Sequence, residues 1–358
     1  MRHPSRSLAA WDSLTTGRPA ALASPSGSRE AAQRLAALQG CECGLIAPST
    51  LHLFWDLFGV LSGRRAAIYL DAGVYPIARW GAERAAARGV PAREFPHHDA
   101  HGLLRQLKQD ASGRRPLIVA DGFCPGCGKS APIADYLHCA RAFGGLLILD
   151  DTQSLGIFGR DPDNSAPFGR GGGGSLVWSE AHGPDILLIS SLAKGFGSPL
   201  AVLSGSERLV RMFDERSETR VHTSPPSVAV INAARRALDI NDSHGDEIRL
   251  QLARLVSRFR RRLKESGFGV SGGLFPVQTL APISGLDAPT LHERLFRSGI
   301  RTVIHHARNG DDALISFVIN AGHSPDDVDR AADALAAVTS GFRIEGRVSA
   351  GSFPDGRF

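Results

Sequence analysis

The sequence predicts an α/β fold, with a mainly parallel sheet covered by helices on both faces, followed by a smaller α+β domain. Two observations predict it. Apolar runs of strand length alternate with amphipathic helical stretches from about residue 40 to 240, and the texture changes near residue 245.

AAIYL, PLIVAD, GLLILDD, DILLIS and LAVLSG are short runs bounded by Gly, Pro or charge, and segments such as IADYLHCARAFGG repeat apolar residues at helical spacing between them. Continuous apolar strands are the mark of a sheet buried on both faces, and ligands of such sheets sit at the carboxyl ends of the strands. DEIRLQLARLVSRFRRRLKESG then reads as a long amphipathic helix. FPVQTLAPI and ALISFVIN follow as short strands, with helices between and after them. The expected organisation is an N-terminal arm (1–40), a large domain (41–240), a small C-terminal domain (241–340) and a flexible tail (341–358). The glycine run RGGGGSLVWSE, from Arg170, reads as a mobile loop rather than a phosphate cradle, because no helix pattern opens after it.

A chain of 358 residues with 42% hydrophobic content can bury a large core and a second, smaller one. The formal charge is +5, but its arginines are interleaved with Asp and Glu. The run Arg260, Arg261, Arg262 reads as a solvated helix face, so no nucleic acid partner is expected. No stretch approaches the roughly 20 apolar residues that span a bilayer, and MRHPSRSLAAWDSL lacks the apolar core of a signal peptide. The expected location is cytoplasmic, with no membrane partner. Five cysteines argue against a secreted disulfide framework. Cys41 and Cys43 in CECG, with Cys124 and Cys127 in CPGCGK, offer four thiolates for zinc. The spacing is unspecific, and reduced thiols in turns, with no metal, are the preferred reading.

Two features carry chemistry. Asp150 and Asp151 end the run GLLILDD, where a carboxylate is costly unless it meets a cation or hydrogen-bond donors. An N-cap role is the alternative for Asp151. Lys194, one of only four lysines, ends the next strand in SLAKGFG. Consecutive parallel strands end on one edge, so Asp150 and Lys194 can reach one pocket. A desolvated lysine amine forms a Schiff base with a carbonyl, and a carboxylate that keeps a pyridine nitrogen protonated is the other half of that chemistry.

LILDDTQSLGIFG followed by ISSLAKGFG resembles the core of the fold type I pyridoxal phosphate enzymes, specifically the α-oxoamine synthases. The likeness runs over roughly residues 28 to 340. It implies a fold type I aminotransferase-like architecture with pyridoxal 5′-phosphate as cofactor, Lys194 as its covalent attachment and Asp150 on its ring nitrogen. It implies that Ser191, and Ser49 with Thr50 in APSTLHLF, approach the phosphate. Tyr75 in YLDAGVYPI takes the place of the ring that stacks on the cofactor. Thr223 in HTSPPSVAV would reach the phosphate of a neighbouring subunit, which implies a homodimer.

The departures touch the substrate side. Gln153 stands where the family has a histidine near the cofactor's phenolic oxygen. Tyr75 replaces a stacking histidine, Pro125 and Cys127 replace a Ser and an Asp, and Ser316 replaces the arginine that clamps the substrate carboxylate. Arg301 or Arg308 would have to supply a relocated clamp. The resemblance implies condensation of an amino acid-derived carbanion with an acyl thioester, on CoA or a carrier protein, in biosynthesis. An aminotransferase, decarboxylase or other C–C bond-forming enzyme on an atypical amine is the alternative, and a non-catalytic scaffold is the reading from another class.

Overall fold

The computed structural model describes residues 13–110, 112–306 and 313–342, so Arg308 lies outside the described residues. The chain divides into two compact units. The first holds Met1–Phe123, Ser130–Asp161 and Gly169–Gly245; the second holds Cys124–Lys129, Pro162–Phe168 and Asp246–Phe358.

The first unit is built on seven strands: β1 (Cys43–Ala47), β2 (Ala66–Asp71), β3 (Ala92–Phe95), β4 (Arg115–Asp121), β5 (Leu146–Asp150), β6 (Ile186–Ser191) and β7 (Ala201–Gly205). Their order across the sheet is β1-β7-β6-β5-β4-β2-β3. All neighbours are parallel except at β7, which runs antiparallel to both β1 and β6. Strands β2, β4, β5, β6 and β7 are buried on both faces, as their apolar sequences require, whereas the edge strand β3 is exposed apart from Phe95. Ile68, Leu70, Leu117, Val119 and Ile148 pack under helices α2 (Thr50–Ser62) and α3 (Pro76–Ala87). Their alternates Tyr69, Ile118, Leu147 and Leu149 pack under α4 (Ala100–Gln109) and α5 (Ile133–Ala142). Helix α1 (Ser28–Leu38) joins this unit's core through Ala31, Ala32 and Leu35. The period-two alternation thus divides one sheet between two helical layers.

Helix α6 (Val228–Glu265) begins well before the expected start near Asp246. Ile231, Ala234, Ala237 and Leu238 carry the same helical spacing into the first unit's core, and Pro225–Pro226 precede the first turn. In the second unit, β8 (Val270–Ser271), β9 (Val277–Leu280), β10 (Val303–His306) and β11 (Ala313–Val318) form an antiparallel sheet ordered β8-β9-β11-β10. Helices α7 (Ala288–Arg297) and α8 (Pro325–Val338) belong to the same unit.

Two expectations are corrected. The arginine run is not simply solvated: Arg260 donates to Gln278 Oε1 at 2.8 Å, Arg262 pairs with Asp329 and Asp333, and only Arg261 is exposed. The glycine run is packed rather than loose. Gly172 and Gly174 are buried, Gly172 O accepts from Gly156 N at 2.8 Å, and Gly174 N donates to Phe158 O at 2.8 Å. A one-turn helix, Ser175–Trp178, opens directly after it. Among the described residues no helix is long and apolar enough to cross a membrane.

Candidate active site

The carboxyl ends of β4, β5 and β6 converge on one cavity of about 190 Å³ in the first unit. Register pairs Asp121 with Asp150 across β4 and β5, so two carboxylates stand side by side at the sheet edge. Both line the cavity with Lys194, which follows the end of β6.

Asp150 is 5% exposed. Burial raises its pKa; hydrogen bonding from Thr152, whose amide donates to Oδ1 at 3.0 Å, and the Lys194 charge oppose the rise. Burial likewise lowers the pKa of Lys194 below that of a free lysine, while the charges of Asp150 and Asp121 hold it up. Each group is driven toward its neutral form by desolvation and toward its charged form by the other.

Tyr75 presents its ring to the cavity, and the Lys194 Nζ lies 5.7 Å from the ring centroid. The turn that carries the ring is fixed from below, because Tyr75 N donates to Asp121 Oδ1 at 3.0 Å. Thr50, Gln153 and Ser191 complete the polar lining. Ser191 is set by two bonds: its amide donates to Thr152 Oγ1 at 2.9 Å, and its hydroxyl accepts from Ala193 N at 3.3 Å.

Six of the eight sequence-predicted residues therefore share the cavity: Lys194, Asp150, Gln153, Tyr75, Ser191 and Thr50. Ser49 and Thr223 are not among its lining residues. Ser49 precedes α2 but makes no side-chain cap; its hydroxyl instead meets His52 Nδ1 at 2.9 Å. Thr223 donates to Thr219 O at 2.6 Å, and its carbonyl accepts from Ala20 N. Sequence reasoning missed Asp121 and Thr152. The signal for Asp121 was present, since PLIVAD ends in a carboxylate just as GLLILDD does.

Asp151 faces away from this chemistry. It is fully buried, and its carboxylate accepts from Ser175 N at 3.1 Å and from the Ser175 hydroxyl. Burial pushes its pKa up to about 7 against those bonds. It caps the one-turn helix behind the glycine run, not the segment that follows it. Cys41 is an unsuitable thiolate: burial, with the charges of Asp151 and Glu42, pushes its pKa up to about 12. Among the described residues neither Cys41 nor Cys43 joins a group of three or more ligand-type side chains.

In the second unit, Ser316 is buried on β11. Its hydroxyl pairs with Thr279 Oγ1 at 2.7 Å and with His305 Nε2 at 2.8 Å. Arg301 lines a separate cavity of that unit with Phe317 and His323.

These residues suit an aromatic, aldehyde-bearing phosphate. A buried carboxylate driven toward neutrality is matched by an N–H cation, a desolvated amine by a carbonyl, and a planar ring by Tyr75. The Ser49 side chain leaves the first-turn amides of α2 to an anion.

Comparison with known proteins agrees. The model of the aminotransferase class I and II family matches residues 55–335. An 8-amino-7-oxononanoate synthase from Geobacter sulfurreducens is 28% identical over 309 residues, covering 86% of this chain and 76% of that protein. Among solved structures, serine palmitoyltransferase from S. paucimobilis, with bound pyridoxal phosphate and myriocin, aligns with a TM-score of 0.81 at 17% identity, over 93% of this chain and 81% of that one. The 8-amino-7-oxononanoate synthase from Francisella tularensis aligns at 0.70 and 16% identity, over 88% of each chain. The chain belongs to the aminotransferase class I and II family, and its cofactor is pyridoxal 5′-phosphate.

Proposed function

We propose that the protein is a transferase of the α-oxoamine synthase type that joins an amino acid to an acyl thioester, releasing carbon dioxide and the free thiol and leaving an α-amino ketone. The observation that carries this reading is the meeting of Asp150 and Lys194 on one cavity beside the Tyr75 ring. Pyridoxal phosphate, when bound, supplies an electron sink for the carbanion formed beside the substrate amine.

The protein's own residues do the rest. The Lys194 amine would hold the cofactor and would serve as the base for the α-proton of the amino acid. Asp150 would hold a proton on the ring nitrogen, Tyr75 would cover the ring, and Gln153 would donate a hydrogen bond to the cofactor without titrating. Ser191, Thr50, Ser49 and the first-turn amides of α2 take the phosphate. Thr223 is assigned to the phosphate of a second subunit. Leu51, Trp55 and Trp80 support that assembly: all three are exposed large apolar side chains on the packed pair α2 and α3, and Arg84 lies 5.0 Å over the Trp55 ring. The form we assign is a cytoplasmic homodimer.

Incubating the holoenzyme with amino acids, with and without acyl-CoA, tests this reading through thiol release and the cofactor absorbance. Product formation that ignores the thioester overturns it. A second reading follows from Ser316, whose neutral hydroxyl is committed to Thr279 and His305 where an arginine would grip a carboxylate. On that reading the enzyme transaminates or decarboxylates an atypical amine, and an amino product without thiol release would identify it.

A further inference from the structure

The ladder between β5 and β6 closes at the cavity with a rung made by a side chain. Asp151 N donates to Ile189 O at 2.8 Å, and the next bond of a parallel pair would run from Ser191 N back to Asp151 O. That carbonyl is occupied by the turn after β5, where it accepts from Ser154 N at 3.0 Å and from Leu155 N at 2.9 Å. Ser191 N donates instead to Thr152 Oγ1 at 2.9 Å. The Thr152 hydroxyl oxygen stands in for the missing backbone acceptor, and its β-branched side chain, stiff about its first torsion, holds that oxygen in place.

The same residue grips Asp150. Its amide donates to Asp150 Oδ1 at 3.0 Å. Burial drives that carboxyl toward neutrality, and hydrogen bonding from Thr152 opposes it ahead of the Lys194 charge. Asp150 ends β5, Ser191 ends β6, and both line the cavity together with Thr152 itself. One half-buried threonine, through its amide and its hydroxyl, ties down two groups that face one ligand from different strands.

We propose that Thr152 is a positioning residue for the cofactor, setting the Asp150 carboxylate and the Ser191 arm at a fixed separation so that ring nitrogen and phosphate are held together. Thr152 has this role only if Asp150 and Ser191 meet the cofactor as assigned above. Loss of the hydroxyl leaves the amide bond to Asp150 in place and deprives the Ser191 amide of its acceptor. The phosphate end of the cofactor should therefore register the change more than the ring nitrogen does.

The experiment compares wild type with Thr152→Val and Thr152→Ala, which remove the oxygen, and Thr152→Ser, which keeps it. Cofactor affinity is read by absorbance titration of the apoprotein, the phosphate by its phosphorus NMR resonance in the holoenzyme, and folding by the denaturant midpoint of the apoprotein. In the valine and alanine variants affinity should fall roughly tenfold, the scale of one hydrogen bond lost with its donor left unsatisfied, and the phosphorus resonance should move. Serine should restore both. Thr152→Ala, the smaller change, carries the test if the valine variant fails to fold. An unmoved resonance in a folded variant overturns the positioning role, even where affinity falls, because the effect then lies away from the phosphate. A resonance that moves equally with serine overturns it too. Borohydride reduction of wild type separates this result from failure of the site itself: a pyridoxyl group on Lys194 leaves the active-site reading standing, and its absence overturns both.

Discussion

The Lys194 ammonium stands 5.7 Å from the centre of the Tyr75 ring, and the amide of Tyr75 rests on Asp121 Oδ1. Ring and amine are therefore positioned from one sheet edge rather than by independent loops. On the proposed reading, a planar cofactor held beside Lys194 would gain its stacking from that ring, a contribution of about 1 kcal/mol beyond area burial. Tyr75→Phe keeps the ring and should hold cofactor with near wild-type affinity. Tyr75→Ala removes it and should weaken binding roughly tenfold, the equivalent of about 1.4 kcal/mol. Titrating cofactor into the apoprotein by absorbance distinguishes the two.

On the proposed reading, Asp150 is the charge that would face the ring nitrogen of the cofactor. Asp150→Asn is close in shape but leaves no anion to hold a proton there. Turnover should fall roughly 10²- to 10³-fold, the scale of losing one preorganised electrostatic partner, with the cofactor still bound at Lys194. Steady-state rates alongside borohydride reduction and mass mapping of Lys194 check both halves. Undiminished turnover would remove Asp150 from the mechanism.

Much of this arrangement was legible in the sequence because it depends on local runs. Five apolar strands announce a sheet, and consecutive parallel strands must end on one edge, which brings Asp150 and Lys194 together. The strand-end position of Asp121 could be read from PLIVAD, but its support of Tyr75 could not, because that partner is an amide 46 residues away, across two strands whose adjacency is set by topology. The glycine run was misjudged for a related reason. Its order comes from the burial of Asp151, which accepts the Ser175 amide 24 residues further on, and composition does not encode that contact. The start of α6 was missed because ARRAL and its neighbours hide their apolar face among arginines.

Asp121 adds negative charge beside Lys194 and raises its pKa against the lowering effect of burial. In Asp121→Asn the amide oxygen still accepts from Tyr75 N, so the ring stays in place while the charge is lost. The Lys194 pKa should then fall further. Attachment of cofactor to the apoprotein requires the neutral amine, so the midpoint of its pH–rate profile should move to lower pH in the variant. An unchanged midpoint would show that the two groups do not interact.

Asp151 makes a stability prediction with a definite sign. Its folded pKa is raised from 3.8 to about 7. Between those values the native state binds more protons than the unfolded chain, so this group's contribution is fully present at low pH and is lost as pH rises through 7. Asp151→Asn has no such dependence. The stability of the variant relative to wild type should therefore improve between pH 5 and pH 8, measured from urea midpoints at each pH. A difference that stays constant would mean that the carboxyl does not titrate in this range.

Lys194 is followed directly by glycine for a steric reason. A Cβ on Gly195 would stand 2.4 Å from Leu155 O and 3.3 Å from Gly156 Cα. Both contacts are backbone atoms of the segment that also carries Thr152 and Gln153, so neither can swing aside as a side chain does. Gly195→Ala must push apart the two loops that present Lys194 and Gln153 to the cavity. The expected cost is about 3 kcal/mol, typical of overpacking where nothing relaxes, and the loss of activity should exceed what that destabilisation explains at 25 °C. Gly197→Ala is the control for conformational strain. Its φ is +62° but its Cβ position is open, so only the left-handed backbone is penalised, at roughly 1 kcal/mol. Denaturant midpoints with cofactor occupancy separate the cases: Gly195→Ala should lose both stability and cofactor, and Gly197→Ala mainly a little stability. Equal behaviour of the two variants would refute the close approach of the two loops as the reason for glycine at position 195.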